Sequence, residues 1–176
     1  MRHTHYEEFL VSKFFFTNHN SAIFWLIVRL YVGYTWVMAG FEKLINPLWF
    51  GNNAGVPLTG FIQGALGKTT GMHPDVYMWY ASFLQNFVLT HVVMFSNMVA
   101  VGEFLVGIAL ITGLFVGISA FFGAFMNFNY LLAGTVSINP MFFFLGILLV
   151  LAWRTAGYIG LDYYALPKLH QLLKRP

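Results

Sequence analysis

Four long apolar runs constrain this chain more than any other feature of its sequence. A helix needs about 20 mostly apolar residues to cross the hydrocarbon core of a bilayer, and each run approaches or reaches that length. The runs are residues 22–41, 92–112, 114–133 and 141–157. The composition agrees, because 59% of the residues are hydrophobic and only 9% are charged, which is not typical of a soluble domain. We therefore predict an all-α membrane protein, a bundle of four transmembrane helices in a single domain over residues 1–176.

The distribution of Lys and Arg predicts on which side of the membrane each end of the chain lies. Arg2 and Lys13 precede the first run, and the last run is followed by Lys168, Lys174 and Arg175. Cytoplasmic segments next to membrane spans carry an excess of these residues, and an even number of spans brings both ends to the same side. We expect both termini in the cytoplasm and the protein in the plasma membrane of a bacterial or archaeal cell.

The connection between the first two runs, residues 45–91, is expected on the outer side. It is too polar to span, and Lys68 is its only Lys or Arg. A helical pattern begins at Pro74, and its apolar face contains Val76, Tyr80, Phe83, Leu84 and Phe87. Aromatic side chains of this kind favour the membrane–water interface, so we predict short interfacial helices within this segment.

The residue types exclude several functions. The chain has no cysteine, so it cannot form disulfides, ligate an iron–sulfur cluster or attach a c-type haem. His19 and His91 should lie on opposite sides of the membrane, which disfavours a haem held by two histidines, and no spacing predicts a metal site. The net charge of +3 is too small and too dispersed to indicate nucleic-acid binding.

Charged and amide side chains inside the apolar runs are the candidate functional residues. A charge in hydrocarbon costs at least about 2.5 kcal/mol on insertion scales, so Arg29 and Glu103 each need a reason to be there. Helical rise places these two within roughly one turn in depth, and we expect them to pair in the bundle interior. The sequence leaves two interpretations open. The pair either fixes helix packing, or forms a catalytic site in which Glu103 carries protons.

Helical spacing adds further candidates to this set. One face of the first run contains Arg29, Gly33, Trp36, Gly40 and Lys43, and one face of the third contains Gly123, Asn127, Tyr130 and Gly134. Both faces should point into the bundle, because a lipid-facing surface would be uniformly apolar. Lys43 and Arg154 lie near the ends of their runs, where snorkelling to the membrane surface is the structural alternative.

Several strings carry a family resemblance. They are Arg29-Leu-Tyr-Val-Gly33 continuing to Ala39-Gly-Phe-Glu-Lys43-Leu, then Gly102-Glu103, Met126-Asn127, and Ala156-Gly-Tyr-Ile-Gly160-Leu-Asp162. In this order they resemble the DoxX/DoxD family of small four-helix membrane proteins, over residues 22–167. The long outer segment is similar to that of the DoxD-like branch, which includes the small subunit of thiosulfate:quinone oxidoreductase.

The resemblance implies an association with membrane redox reactions, in some relatives as a quinone-linked subunit acting with a partner. It makes menaquinone or ubiquinone the expected cofactor, and a partner oxidoreductase subunit and membrane lipid the expected partners. The candidate quinone-binding residues are Arg29, Lys43, Asn127, Tyr130 and Arg154. Two other functions stay open, a non-enzymatic membrane scaffold and a small transporter of a lipophilic or weak-acid solute. The sequence is also compatible with a homo-oligomer.

Overall fold

The computed structural model describes residues 9–173, and every regular element in that part of the chain is a helix. In chain order the α-helices are α1 (Leu10–Thr17), α2 (Ala22–Leu44), α3 (Val56–Leu66), α4 (Met78–Phe83), α5 (Val92–Thr112), α6 (Val116–Leu132), α7 (Asn139–Leu151), α8 (Trp153–Ala156) and α9 (Asp162–Leu173). A 3-10 turn, His19–Ser21, joins α1 to α2. The predicted all-helical class is confirmed for the described residues.

Two helices are long and apolar enough to cross a membrane. They are His19–Leu44, with 26 residues, and Met78–Thr112, with 35 residues. Helices α6 and α7 are apolar but have only 17 and 13 residues. A 13-residue helix rises about 20 Å, which is less than the hydrocarbon thickness of about 30 Å. Four crossings and the side of each terminus therefore stay predictions, and Arg2, Lys174 and Arg175 lie outside the described residues.

The bundle has two ends. At the α9 end, α1 packs on α8, and the carbonyl oxygen of Phe15 accepts hydrogen bonds from the Trp25 indole at 2.6 Å and the Thr155 hydroxyl at 3.3 Å. At the α3 end, α3 packs against the helix that leads into α5. Helices α2 and α6 run from the α9 end to the α3 end, and α5 runs the opposite way between them.

Glycines bring the backbones of α2 and α5 into direct contact. A Cβ atom at Gly40 would overlap the backbone nitrogen of Phe104, and one at Gly107 would overlap the backbone nitrogen of Val37. Small residues at such crossings are typical of helix packing in membranes, where close contact replaces the hydrophobic effect. The predicted inward face of α2 is confirmed, since its members from Arg29 to Gly40 are buried.

The outer segment differs from the prediction in one respect. The predicted interfacial helix does not stop before the second apolar run, because α4 continues through a π-helical stretch, Leu84–Val88, and a 3-10 turn, Leu89–His91, into α5. Of the predicted apolar face, Tyr80 and Leu84 are buried, whereas Phe83 and Phe87 are exposed. The prediction assumed 3.6 residues per turn; the wider π turns account for the exposure of Phe87, which lies within them, and not for that of Phe83, which precedes them.

Candidate functional site

A buried carboxylate lies where three helices converge near the α3 end of the bundle. Glu103 on α5 is only 2% exposed, and its carboxylate accepts two short hydrogen bonds. The Lys43 ammonium at the end of α2 donates to Oε2 at 2.6 Å, and the Tyr130 hydroxyl on α6 donates to Oε1 at 2.7 Å. Lys43 and Glu103 form the only salt bridge between side chains in residues 9–173. Both carboxylate oxygens are thus held by charged or polar donors inside an apolar bundle.

The register of α2 against α5, together with side-chain direction, explains why Glu103 pairs with Lys43 and not with Arg29. The Cα–Cβ bonds of a helix tilt toward its N-terminus, so side chains of the antiparallel α2 and α5 lean in opposite directions. Lys43 leans back into the bundle while Glu103 leans toward the α3 end, and the two meet. Arg29 leans toward the α9 end, away from Glu103. The predicted Arg29–Glu103 pair is therefore wrong, because the ends of α2 and α5 are not level: Gly40 lies against Phe104 and the Arg29 guanidinium against Gly113, about ten residues or 15 Å along α5 from Glu103.

Aromatic side chains surround the cluster. The Lys43 ammonium lies 5.1 Å from the centre of the Trp49 ring, and the edge of the Phe61 ring meets the Tyr130 ring at a centroid distance of 6.0 Å. Trp49 lies in the turn after α2, which is fastened to α5 because the Ser96 hydroxyl donates to the Trp49 carbonyl at 2.6 Å. Neither Trp49 nor Phe61 is among the predicted site residues, since no helical spacing relates the outer segment to Glu103.

Asn127 supplies a hydrogen-bond donor at the same level. In the antiparallel packing of α5 and α6, Gly102 faces Met126 and Val106 faces Gly123, so Asn127 comes level with Glu103. The Asn127 residue is 2% exposed, and its side-chain Nδ2 has no hydrogen-bond partner among the described residues. A buried amide donor without a partner costs about 1–3 kcal/mol, so such groups call for an explanation. Binding of an acceptor group from outside the chain is one such explanation.

Arg29 forms a separate structural anchor near the α9 end. It is 1% exposed, and its Nη atoms donate to the carbonyl oxygens of Ala156 at 2.7 Å and Ile159 at 2.8 Å, while its Nε has no partner in the described part. Gly113 and Gly160 lie directly against the guanidinium, where a Cβ atom would overlap Nη1. Arg29 and Lys43 are about 21 Å apart along α2, given the helical rise. The guanidinium thus fastens the segment after α8 to α2, and it packs against Gly113 in the turn between α5 and α6.

Asp162 completes that anchor, and the sequence analysis did not assign it a role. Its buried carboxylate accepts hydrogen bonds from the backbone N–H groups of Phe115 at 2.6 Å and Val116 at 2.9 Å, at the start of α6. The negative charge also interacts favourably with Arg29 through space. The family string from Ala156 to Asp162 marked this anchor in the sequence, since it contains both carbonyls that bind Arg29 and the carboxylate that caps α6.

Arg154 lies apart from both clusters. It is exposed on α8, and its guanidinium carbon sits 5.0 Å from the centre of the neighbouring Trp153 ring. The structure thus brings together three of the predicted site residues, Glu103, Lys43 and Tyr130, with Asn127 at their level. Among residues 9–173, no three His, Asp or Glu side chains come close enough to hold a metal ion.

Long apolar helices that cross through glycine contacts, with a buried carboxylate between them, define a small helical membrane protein. A family model described as DoxX matches residues 24–136, well over half of the chain, and the chain belongs to the DoxX family. This confirms the predicted family, and the match does not distinguish the DoxD-like branch. It includes Lys43, Glu103, Asn127 and Tyr130, and it ends before Arg154. Neither a curated protein nor a solved structure matches the chain.

Proposed function

We propose that this protein is a multi-pass protein of the cell membrane that binds a quinone at the Glu103 cluster, as the membrane-embedded member of an oxidoreductase system acting with a partner subunit. The observation that carries the proposal is the buried Glu103 carboxylate, held by Lys43 and Tyr130 at the level of the unpartnered Asn127 donor. Membership of the DoxX family supports the membrane location.

The chemistry of the donor set fits a quinone. A quinone ring carries two carbonyl acceptors, and its isoprenoid tail needs apolar surroundings, which the helices and the rings of Trp49 and Phe61 supply. The Asn127 Nδ2 group has no partner and can donate to a quinone carbonyl. The Lys43 ammonium has three N–H donors, one of which is used by Glu103. A bound quinone would accept two electrons, supplied by the partner subunit, and two protons.

The residues of this chain are arranged to hold and replace a proton. Tyr130, Glu103 and Lys43 form a continuous hydrogen-bonded row with lengths of 2.7 and 2.6 Å. When the Tyr130 hydroxyl gives up its proton, the Lys43 ammonium can protonate the Glu103 carboxylate, Glu103 can pass that proton to the Tyr130 oxygen, and Lys43 can take up a new proton from its surroundings. The Lys43 side chain is 20% exposed, so it links the buried carboxylate to the surroundings of the α3 end. Glu103 is thus the proton carrier of the proposal.

The contrast with Arg29 separates a binding site from a structural anchor. Arg29 is held by two backbone carbonyls and pressed against two glycines, which leaves no room for a ligand. The Glu103 carboxylate is held by two side chains and by no backbone group, and Asn127 at its level has an amide donor without a partner. The proposed quinone site therefore does not include Arg29. It does not include Arg154 either, because that residue is exposed on α8, apart from the Glu103 cluster.

A quinone-binding titration tests the proposal. The protein is purified in mild detergent, co-extracted quinone is quantified, and a short-tailed quinone is titrated into wild type and the variants Tyr130→Phe and Asn127→Ala. Each variant removes one donor, worth about 1 kcal/mol, so we expect each to weaken binding by about five- to tenfold. The matched control is Glu42→Gln, which removes an exposed carboxylate next to Lys43. Absence of quinone in the extract together with identical titrations for all four proteins would overturn the proposal and favour the scaffold function.

A further inference from the structure

The second feature that points to a ligand is an open groove at the α9 end. It lies between α8 and α9 and has a volume of about 800 Å³. Its walls include the side chains of Trp153, Tyr158, Leu166 and Leu169, and its polar members include Arg154 and His170. The Glu103 cluster is near the other end of the bundle, so this groove is independent of the proposed quinone site.

The apolar part of the groove continues along the bundle. A neighbouring cavity of about 310 Å³ shares Trp153 and Leu166 with it and extends over Ile118 and Val150, on α6 and α7. Gly117 makes room for this wall, because a Cβ atom there would lie 3.0 Å from the Trp153 Cβ. The two cavities together form an apolar path from the rim of the groove to the first turn of α6 and the last turn of α7, along which an acyl chain can lie.

The charge at the rim favours an anionic group. Arg154 is exposed and is paired with no carboxylate in residues 9–173, and its contact is the cation–π stacking on Trp153. A guanidinium binds the two oxygens of a phosphate in parallel, and His170 can add a ring N–H donor. The Asp162 carboxylate also borders the groove, but it is 3% exposed and engaged by two backbone N–H groups. The open side of the groove is therefore cationic.

The aromatic residues around the groove place it at headgroup depth. Trp153, Tyr158, Tyr163 and Tyr164 gather at the α9 end, and the Tyr158 ring is edge-on to Tyr163 at 5.4 Å. Belts of Trp and Tyr mark the membrane–water interface. Helix α9 has exposed leucines beside polar residues along its length, as helices lying on that interface do.

We infer that the α8–α9 groove is a binding site for an anionic phospholipid of the surrounding membrane, with the phosphate on Arg154 and His170 and one acyl chain along Trp153 and Leu166. A neutral quinone would leave the Arg154 charge without a counter-ion, so the rim favours the phospholipid.

Native mass spectrometry of the detergent-purified full chain tests this assignment. Phosphatidylglycerol and phosphatidylcholine with identical acyl chains are titrated separately, and we expect phosphatidylglycerol to bind about tenfold more tightly. Arg154→Gln should weaken phosphatidylglycerol binding by about fivefold, which corresponds to about 1 kcal/mol for one cation near the membrane surface. Lys13→Gln removes another exposed cation from α1 at the same end of the bundle, and it should leave binding unchanged.

Two further measurements locate the lipid. Phosphatidylglycerol with brominated acyl chains should quench the fluorescence of wild type more than that of Trp153→Phe, because only wild type has an indole in the groove wall. Leu166→Trp should reduce lipid retention, because it fills the apolar path without changing any charge. This variant tests the site if Arg154→Gln does not fold. Equal binding of both lipids, equal binding to wild type and Arg154→Gln, or competition by inorganic phosphate or by a quinone would each overturn the assignment.

Discussion

Removing one or the other partner of the Lys43–Glu103 salt bridge should have unequal effects on stability. Glu103 is 2% exposed, whereas the Lys43 side chain is 20% exposed. Lys43→Met leaves a carboxylate buried with only Tyr130 as a donor. Glu103→Gln leaves an ammonium that can reach the surroundings of the α3 end and keeps an acceptor oxygen for Tyr130.

The structure sets the size of each effect. An uncompensated buried charge costs about 3–5 kcal/mol, which is the expected loss for Lys43→Met. Replacing the charged acceptor by a neutral amide costs about 1–2 kcal/mol, which is the expected loss for Glu103→Gln. The double variant leaves no buried charge, so its loss should be smaller than the sum by at least about 1 kcal/mol.

Reversible unfolding in mixed micelles, followed by tryptophan fluorescence as the fraction of denaturing detergent rises, measures all three losses. Glu42→Gln is the control, because it removes a neighbouring carboxylate that is exposed. Equal losses for the two single variants, or a double variant whose loss equals the sum, would refute the reasoning from burial.

Three further predictions concern the anchor at the α9 end and the placement of the ends. Gly113→Ala should destabilise the protein by about 2–4 kcal/mol in the same unfolding assay, because the φ of +71° at this position is left-handed and the added Cβ overlaps the buried guanidinium. The control is Gly64→Ala, which lies in a helix with open space around it and should be neutral or stabilising by up to about 1 kcal/mol. Asp162→Asn weakens two charge-assisted bonds at the start of α6 and should cost about 1–2 kcal/mol in that assay. On the cysteine-free background, an impermeant thiol reagent should label Met72→Cys in intact cells and Lys13→Cys only after permeabilisation; the reverse pattern would contradict the predicted orientation.

The helical class was predictable because it depends on apolar periodicity, which is a local property of the chain. The bounds of α2, α5 and α6 follow the apolar runs within three residues. Helix α7 departs from its run, since it begins two residues before residue 141 at a proline-containing first turn and ends at Leu151. The π-helical stretch before α5, which is in contact with α3, had no signal in the local apolar pattern.

The candidate site was only partly predictable, because charge burial identifies residues and not their partners. Glu103, Lys43, Tyr130 and Asn127 could be selected as polar groups on inward faces. Which cation would reach Glu103 depended on the register between α2 and α5, which the sequence does not show; the depth arithmetic took the ends of the two runs as level and so chose Arg29, whereas Arg29 lies against Gly113.

The distance along the chain between the cations of α2 and their partners has a consequence for biosynthesis. Glu103 follows Lys43 by 60 residues, and Ala156 and Ile159 follow Arg29 by 127 and 130 residues. At about 5–20 residues per second, translation supplies the partners of Arg29 roughly 6–25 s after the ribosome has made α2. Until Glu103 has been made, α2 carries two cations without their final partners, and for the rest of that interval only Arg29 is without its own. The hydrogen bonds that hold the buried guanidinium are therefore completed only when the last part of the chain arrives, long after α2 itself has been made.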